Sequence, residues 1–60
     1  ALNARSVEHI QQLHQLALNL GGTDEGAPGH RPQYGEGFHS AYVRDPAGNK
    51  LAFVYYANAG

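Results

Sequence analysis

Two runs rich in aromatic and β-branched residues, Phe38–Arg44 and Lys50–Tyr56, bracket the five residues Asp45-Pro46-Ala47-Gly48-Asn49. No other feature restricts the fold of this chain as much. Pro46 presets the first turn angle, Gly48 or Asn49 accepts a positive φ, and the Asp45 carboxylate can bond the backbone two residues on. The segment therefore reads as a β-hairpin. With the five residues as its loop, Tyr42 lies opposite Ala52, Ser40 opposite Val54 and Phe38 opposite Tyr56, all on one face. Val43 and Leu51, Ala41 and Phe53, and His39 and Tyr55 then share the other face. A four-residue loop would shift the pairing by one and turn one strand over relative to its partner.

The segment before the hairpin predicts one amphipathic helix. Ser6 can cap it, since a hydroxyl accepts free amide protons two or three residues on, and Glu8 sits where the positive end of the helix dipole favours an anion. The helix should begin near Val7. At about 100° per residue, Val7, Ile10, Leu13, Leu16, Ala17, Leu18 and Leu20 fall in one arc, and Glu8, Gln11, Gln12, Gln15 and Asn19 in the other. Gly21-Gly22 marks the end, because glycine takes the left-handed cap conformation without a Cβ clash. Ahead of the helix, Ala1–Ala4 reads as the tail of a first strand, with Leu2 on the helix side.

Between helix and hairpin, Gly21–Gly37 holds six of the eight glycines and two of the three prolines. That density predicts mostly loop, with room for a short strand near Thr23. A loop of this length in a compact domain usually lids or lines a site. One helix on a small sheet also covers only one of its faces. The other, partly aromatic face is left for a partner, either a second copy or another segment of the same protein.

Composition narrows the partners. A chain of 60 residues hides only about 60% of its unfolded surface, and with no cysteine it has neither a disulfide framework nor a thiolate zinc site. Four basic against five acidic residues, without a basic run, exclude nucleic acid and an anionic membrane surface as expected partners. No apolar run approaches the roughly 20 residues of a membrane span, and no signal peptide opens the sequence, so the expected location is cytoplasmic.

The order helix, Gly21-Gly22, Pro28-Gly29-His30-Arg31-Pro32-Gln33-Tyr34 and Asp45-Pro46-Ala47-Gly48-Asn49, with Leu13-His14 and Ala17-Leu18 on the helix, resembles the C-terminal half of glyoxalase-like proteins. These belong to the vicinal-oxygen-chelate superfamily, with glyoxalase I, bleomycin-resistance proteins and extradiol dioxygenases. The resemblance covers nearly the whole chain, 1–60. It implies an α+β fold: a single βαβββ module with a shortened first strand, its amphipathic helix packed on a small, mostly antiparallel sheet. Two such modules normally curl their sheets into a cup around a small ligand. The second would come from homodimerisation or from an N-terminal module outside this sequence.

Metal-dependent members of that superfamily, among them lyases and dioxygenases, hold a divalent ion such as Zn, Ni, Fe or Mn with a first-strand His and a last-strand Glu in the pattern Gly-Asn-x-x-Glu. Here Gly48-Asn49-Lys50-Leu51 is followed by Ala52, and the His position would precede Ala1. The expectation is that this chain alone binds no metal in the family's manner, since a methyl group cannot coordinate a cation.

The remaining chemistry-bearing residues favour binding over catalysis. His9 and His14, five apart, stand about 140° apart on a helix and do not chelate together. His14 reads as a packed histidine, His9 as a boundary one, and His30 and His39 as surface or boundary residues. Arg31 can fork onto a carboxylate or phosphate and Tyr34 can stack or donate a hydrogen bond. Alternatively, Arg31 pairs with Glu25, Glu36 or Asp45, and Tyr34 packs the loop to the sheet. Ser40, Tyr42 and Tyr56 share the presumed cup face. No Ser-His-Asp order, cysteine nucleophile or Walker loop occurs, so no catalytic residue is assigned. The resemblance implies a protein that binds or transforms a small organic molecule. The alternatives are a metal-free binder of aromatic or cationic drugs, of the bleomycin-resistance type, or an inactive structural fragment.

Overall fold

The helix α1, Val7–Asn19, starts where Ser6 Oγ accepts the His9 amide proton at 3.0 Å. It stops at a double glycine closure: the Gly21 N–H bonds Leu18 O at 3.0 Å and the Gly22 N–H bonds Ala17 O at 2.9 Å. Gly21 supplies the φ of +102° that this closure requires. The computed structural model describes residues 1–57, so the last three residues of the expected module lie outside the described residues. Around α1 the chain forms β1 (Leu2–Asn3), β2 (Thr23–His30), one tight helical turn at Pro32–Tyr34, β3 (Phe38–Arg44) and β4 (Lys50–Tyr56). The sheet order is β1-β4-β3-β2, with β1 parallel to β4 and the other neighbours antiparallel. This is a small α+β unit of βαβββ order, one helix on one face of a four-stranded mixed sheet.

The β3–β4 register is the one expected from a five-residue loop, from Phe38 opposite Tyr56 to Arg44 opposite Lys50. In the turn, Gly48 takes the positive φ, +93°, and Asp45 Oδ1 accepts the Asn49 amide proton at 2.8 Å. On the helix side, Ile10, Ala41, Val43 and Phe53 form the buried core, with Ala4, Leu13, Ala17, Leu18 and Tyr55 around it. His14, one turn after Ile10, is buried, and its Nε2 lies 3.1 Å from Asp24 Oδ1. The same oxygen accepts the Gly26 amide proton at 2.9 Å. One carboxylate thus ties the helix to β2 and shapes the strand's first irregularity.

Two expectations need correction. Leu16 and Leu20 belong to the apolar arc but are 54% and 73% exposed. The line that meets the sheet runs through Ile10 and His14, so Leu16 stands beside the contact, and Leu20 already lies in the cap. The glycine-rich stretch is also not mostly loop, because residues 23–30 form β2 along the free edge of β3. Its register runs Thr23–Arg44, Asp24–Val43, Gly26–Tyr42, Gly29–Ser40 and His30–His39, with shifts between Asp24 and Gly26 and between Gly26 and Gly29. Bulges absorb the extra residues, and an edge strand tolerates Pro28, which has no N–H to give to a ladder. β1 is as short as expected, and its Leu2 pairs with Phe53 on the helix side yet is 57% exposed.

A Cβ at Gly22 would lie 2.8 Å from both Ala17 O and Val43 Cγ2, and the carbonyl is fixed in the helix end. Gly22→Ala is expected to cost about 1–3 kcal/mol, seen as a lower urea midpoint. Acid stability gives a second check. Hydrogen bonding by Gly26 N–H, then by His14, holds the Asp24 carboxyl below its ordinary 3.8, and the Asn49 N–H is the chief cause of the same effect at Asp45. Both groups thus stay ionised to lower pH when folded than when unfolded. Their stabilisation is complete above about pH 4 and is lost as the pH falls further. The melting temperature of the Asp24→Asn, Asp45→Asn double variant should fall less steeply on acidification than that of the parent chain.

Candidate functional site

Strand alternation puts Phe38, Ser40 and Tyr42 of β3 and Ala52, Val54 and Tyr56 of β4 on the face turned away from the helix. The β2 register adds Gly26, beside Tyr42, and Gly29, beside Ser40. Both glycines make room for side chains from elsewhere. A Cβ at Gly26 would lie 2.9 Å from Tyr42 Cδ2, so the Tyr42 ring rests against the strand backbone. A Cβ at Gly29 would lie 2.7 Å from Arg31 Nη1, so the guanidinium fills the place a side chain would take.

Arg31 is held there by Nη2 donating to Ala27 O at 2.9 Å. None of its expected carboxylate partners meets it. Glu25 takes Arg44 at 3.2 Å, Asp45 is engaged in the turn, and among the described residues Arg31 forms no ion pair. The peptide N–H of Arg31 bonds Phe38 O at 2.7 Å, which joins the Arg31 backbone to the start of β3 and its aromatic cluster. In that cluster the Phe38 and Tyr56 rings lie 4.8 Å apart, and Tyr34 meets Phe38 edge-on at 6.0 Å. Tyr56 Oη donates to Tyr34 O at 3.4 Å, which packs the loop to the sheet. Tyr34 and Tyr56 are nonetheless 63% and 48% exposed. At the other end of the face, Lys50 Nζ sits 5.1 Å from the centre of the Tyr42 ring.

Ser40 lies between these groups. It is fully buried, and among the described residues its Oγ has no hydrogen-bond partner. Along β3 it is flanked by Phe38 and Tyr42, and across the sheet by Gly29 and Val54. A buried polar group left unpaired costs about 1–3 kcal/mol. The five residues singled out from the sequence, Arg31, Tyr34, Ser40, Tyr42 and Tyr56, therefore gather on this face or at its rim. Sequence reasoning put Phe38 on this face without counting it among the ligand-binding candidates, and it missed Lys50, although the two-residue spacing from Ala52 places Lys50 on the same side. Nothing in the sequence marked Gly26 and Gly29 as the spaces that Tyr42 and Arg31 occupy.

The histidines lie elsewhere. His30 and His39 form a cross-strand pair with rings stacked at 4.9 Å, and His39 tilts against Tyr55 at 6.5 Å, on the helix side of the sheet. His30 Nε2 accepts the Gly37 amide proton at 3.2 Å, His9 Nδ1 accepts that of Arg5 at 2.9 Å, and His14 is bound to Asp24. Ala52, where the resemblance would place a metal-binding carboxylate, does face the open side, opposite Tyr42. Around it stand a phenol, a hydroxyl and an ammonium group, a donor set that does not fit a divalent cation. Among the described residues no group of three or more His, Asp or Glu side chains is close enough to hold a metal ion.

Among the described residues the face has no element packed opposite it. Separate clefts occur at the helix end, about 150 Å³ lined by Ala17, Leu20, Val43, Pro46 and Leu51 among others, and along the free part of β4 beside Leu2. No protein-family model matches the chain, and no curated protein matches it. Among the described residues no helix is long and apolar enough to cross a membrane.

Since the Ser40 hydroxyl gives nothing back for its burial, Ser40→Ala is expected to leave the urea midpoint unchanged or to raise it. Substituting a well-satisfied buried serine would lower it.

Proposed function

We propose that this chain is one βαβββ module of a glyoxalase-like protein, and that its open sheet face is one wall of a cup that binds a small organic molecule without a metal ligand from this module. The buried, unpaired Ser40 hydroxyl carries the reading. It sits in the middle of the face, closed off by its neighbours among a cation and aromatic rings, and a ligand oxygen or nitrogen that parts them would satisfy it. The opposite wall comes from a second module, either another copy of this chain or a preceding module of the same protein. Binding is favoured over metal-assisted transformation by what surrounds Ala52, where neither carboxylate nor imidazole is at hand.

The reading is tested by two-dimensional amide NMR of the chain titrated with p-cresol, a neutral aromatic probe. Shifts should concentrate at Phe38, Ser40, Tyr42, Val54 and Tyr56 and should be indifferent to a chelator. Shifts confined to Ala17, Leu20, Gly22 and Leu51 would move binding to the helix-end cleft and overturn the reading, as would shifts that vanish with the chelator.

A further inference from the structure

The open face also carries a charge pattern that narrows the ligand. Among the described residues, Arg44 spends its charge on Glu25 at the strand end. Arg31 and Lys50 hold theirs over Gly29 and Tyr42, with no carboxylate of the described residues within ion-pair reach. The acidic groups have other places. Asp24 serves His14, Glu25 serves Arg44, Asp45 serves the turn, Glu8 is on the outer helix surface, and Glu36 is exposed in the loop before β3, where among the described residues it pairs with neither Arg31 nor Lys50. A chain whose formal net charge is -1 thus presents two unneutralised cations on one face.

Arg31 has donors to spare. Of its five N–H groups, one hydrogen bond is made, from Nη2 to Ala27 O. Its Nη1 lies above Gly29, the register partner of Ser40. The guanidinium and the unpaired hydroxyl therefore stand side by side, a pairing of charged and neutral donors suited to a carboxylate. Phe38 lies two residues along β3 from Ser40, roughly 6.6 Å away along the strand. With Tyr34 and Tyr56 it presents an exposed aromatic surface. That spacing matches a ring joined to a carboxylate through a short alkyl chain.

We infer that the molecule bound on this face is an aromatic acid, its ring against Phe38 and Tyr56 and its carboxylate on Arg31 and Ser40. The inference rests on the open face being the ligand wall, and it turns aside the cationic ligand that tyrosines alone would allow, because Arg31 and Lys50 repel one. Lys50, at the far end beside Tyr42, adds attraction at longer range, and salt weakens this part first.

Three probes of one shape separate the terms: phenylpropionate, phenylpropionamide and phenylpropylamine, titrated into the full chain by the same amide NMR. Phenylpropionate should bind about tenfold more tightly than the amide, the worth of one charge-assisted hydrogen bond, and the amine should bind most weakly. Arg31→Gln should lower the affinity for the acid far more than that for the amide and so erase the preference for the acid, and Arg31→Lys should restore part of it. The urea midpoint of each variant shows that it is folded. If the acid and the amide shift the open face equally, the aromatic-acid inference falls and the ligand wall stands. If no probe shifts the open face, both fall. A preference for the acid that survives Arg31→Gln also overturns the assignment to Arg31.

Discussion

A single thirteen-residue helix must protect a four-stranded sheet, and its geometry allows it to protect one side only. Such a helix is about 20 Å long and about 10 Å wide, enough to cover the middle of the sheet but not to wrap it. The core that results is small: Ile10 from above and Ala41, Val43 and Phe53 from below. Its cohesion depends on the helix stopping on time, which the Gly21-Gly22 closure ensures, and on β2 being tied in, which His14 and Asp24 do. Among the described residues no second helix covers the open side. Tyr42 and Arg31 instead fold down over Gly26 and Gly29, so that polar and aromatic side chains shield the backbone.

This cover carries a cost that points to its use. A sheet face kept only for shape would have Ala or Val at the centre of β3, with nothing left unpaired. Ser40 is there instead, with no exposure and no partner, in a domain whose core leaves little stability to spare. Local violations of packing logic of this kind collect where a protein meets a ligand. The neighbouring Arg31 is similar, a guanidinium resting on a backbone carbonyl while Glu25 and Asp45 are engaged elsewhere.

The elements governed by local chemistry were legible in the sequence. Ser6 and Gly21-Gly22 bounded the helix, and the Asp-Pro-Ala-Gly-Asn turn set the hairpin register, which in turn sorted Ser40, Tyr42 and Tyr56 onto one face. What depended on distant partners was not legible. Residues 23–30 have the composition of a loop and become a strand because the free edge of β3 offers them a ladder. Leu16 and Leu20 match the helical period, but the angle at which the helix meets the sheet leaves them outside. The resting place of Arg31 follows from the missing side chain of Gly29, which only the three-dimensional register brings beside Ser40.

The sheet order has a temporal side. Of the described elements β1 comes first in sequence, yet the strand it pairs with is β4, the last of them. During synthesis Leu2 and Asn3 have nothing to pair with until Phe53 and Val54 have left the ribosome, whereas the helix closes on itself as soon as its glycines emerge. The segment ahead of the helix therefore waits for its partner while the helix, β2 and β3 are made. Joining β1 to β4 is a long-range step that meets its loop-closure entropy late, so β1 is expected to be the last of the four strands to lock and the first to let go.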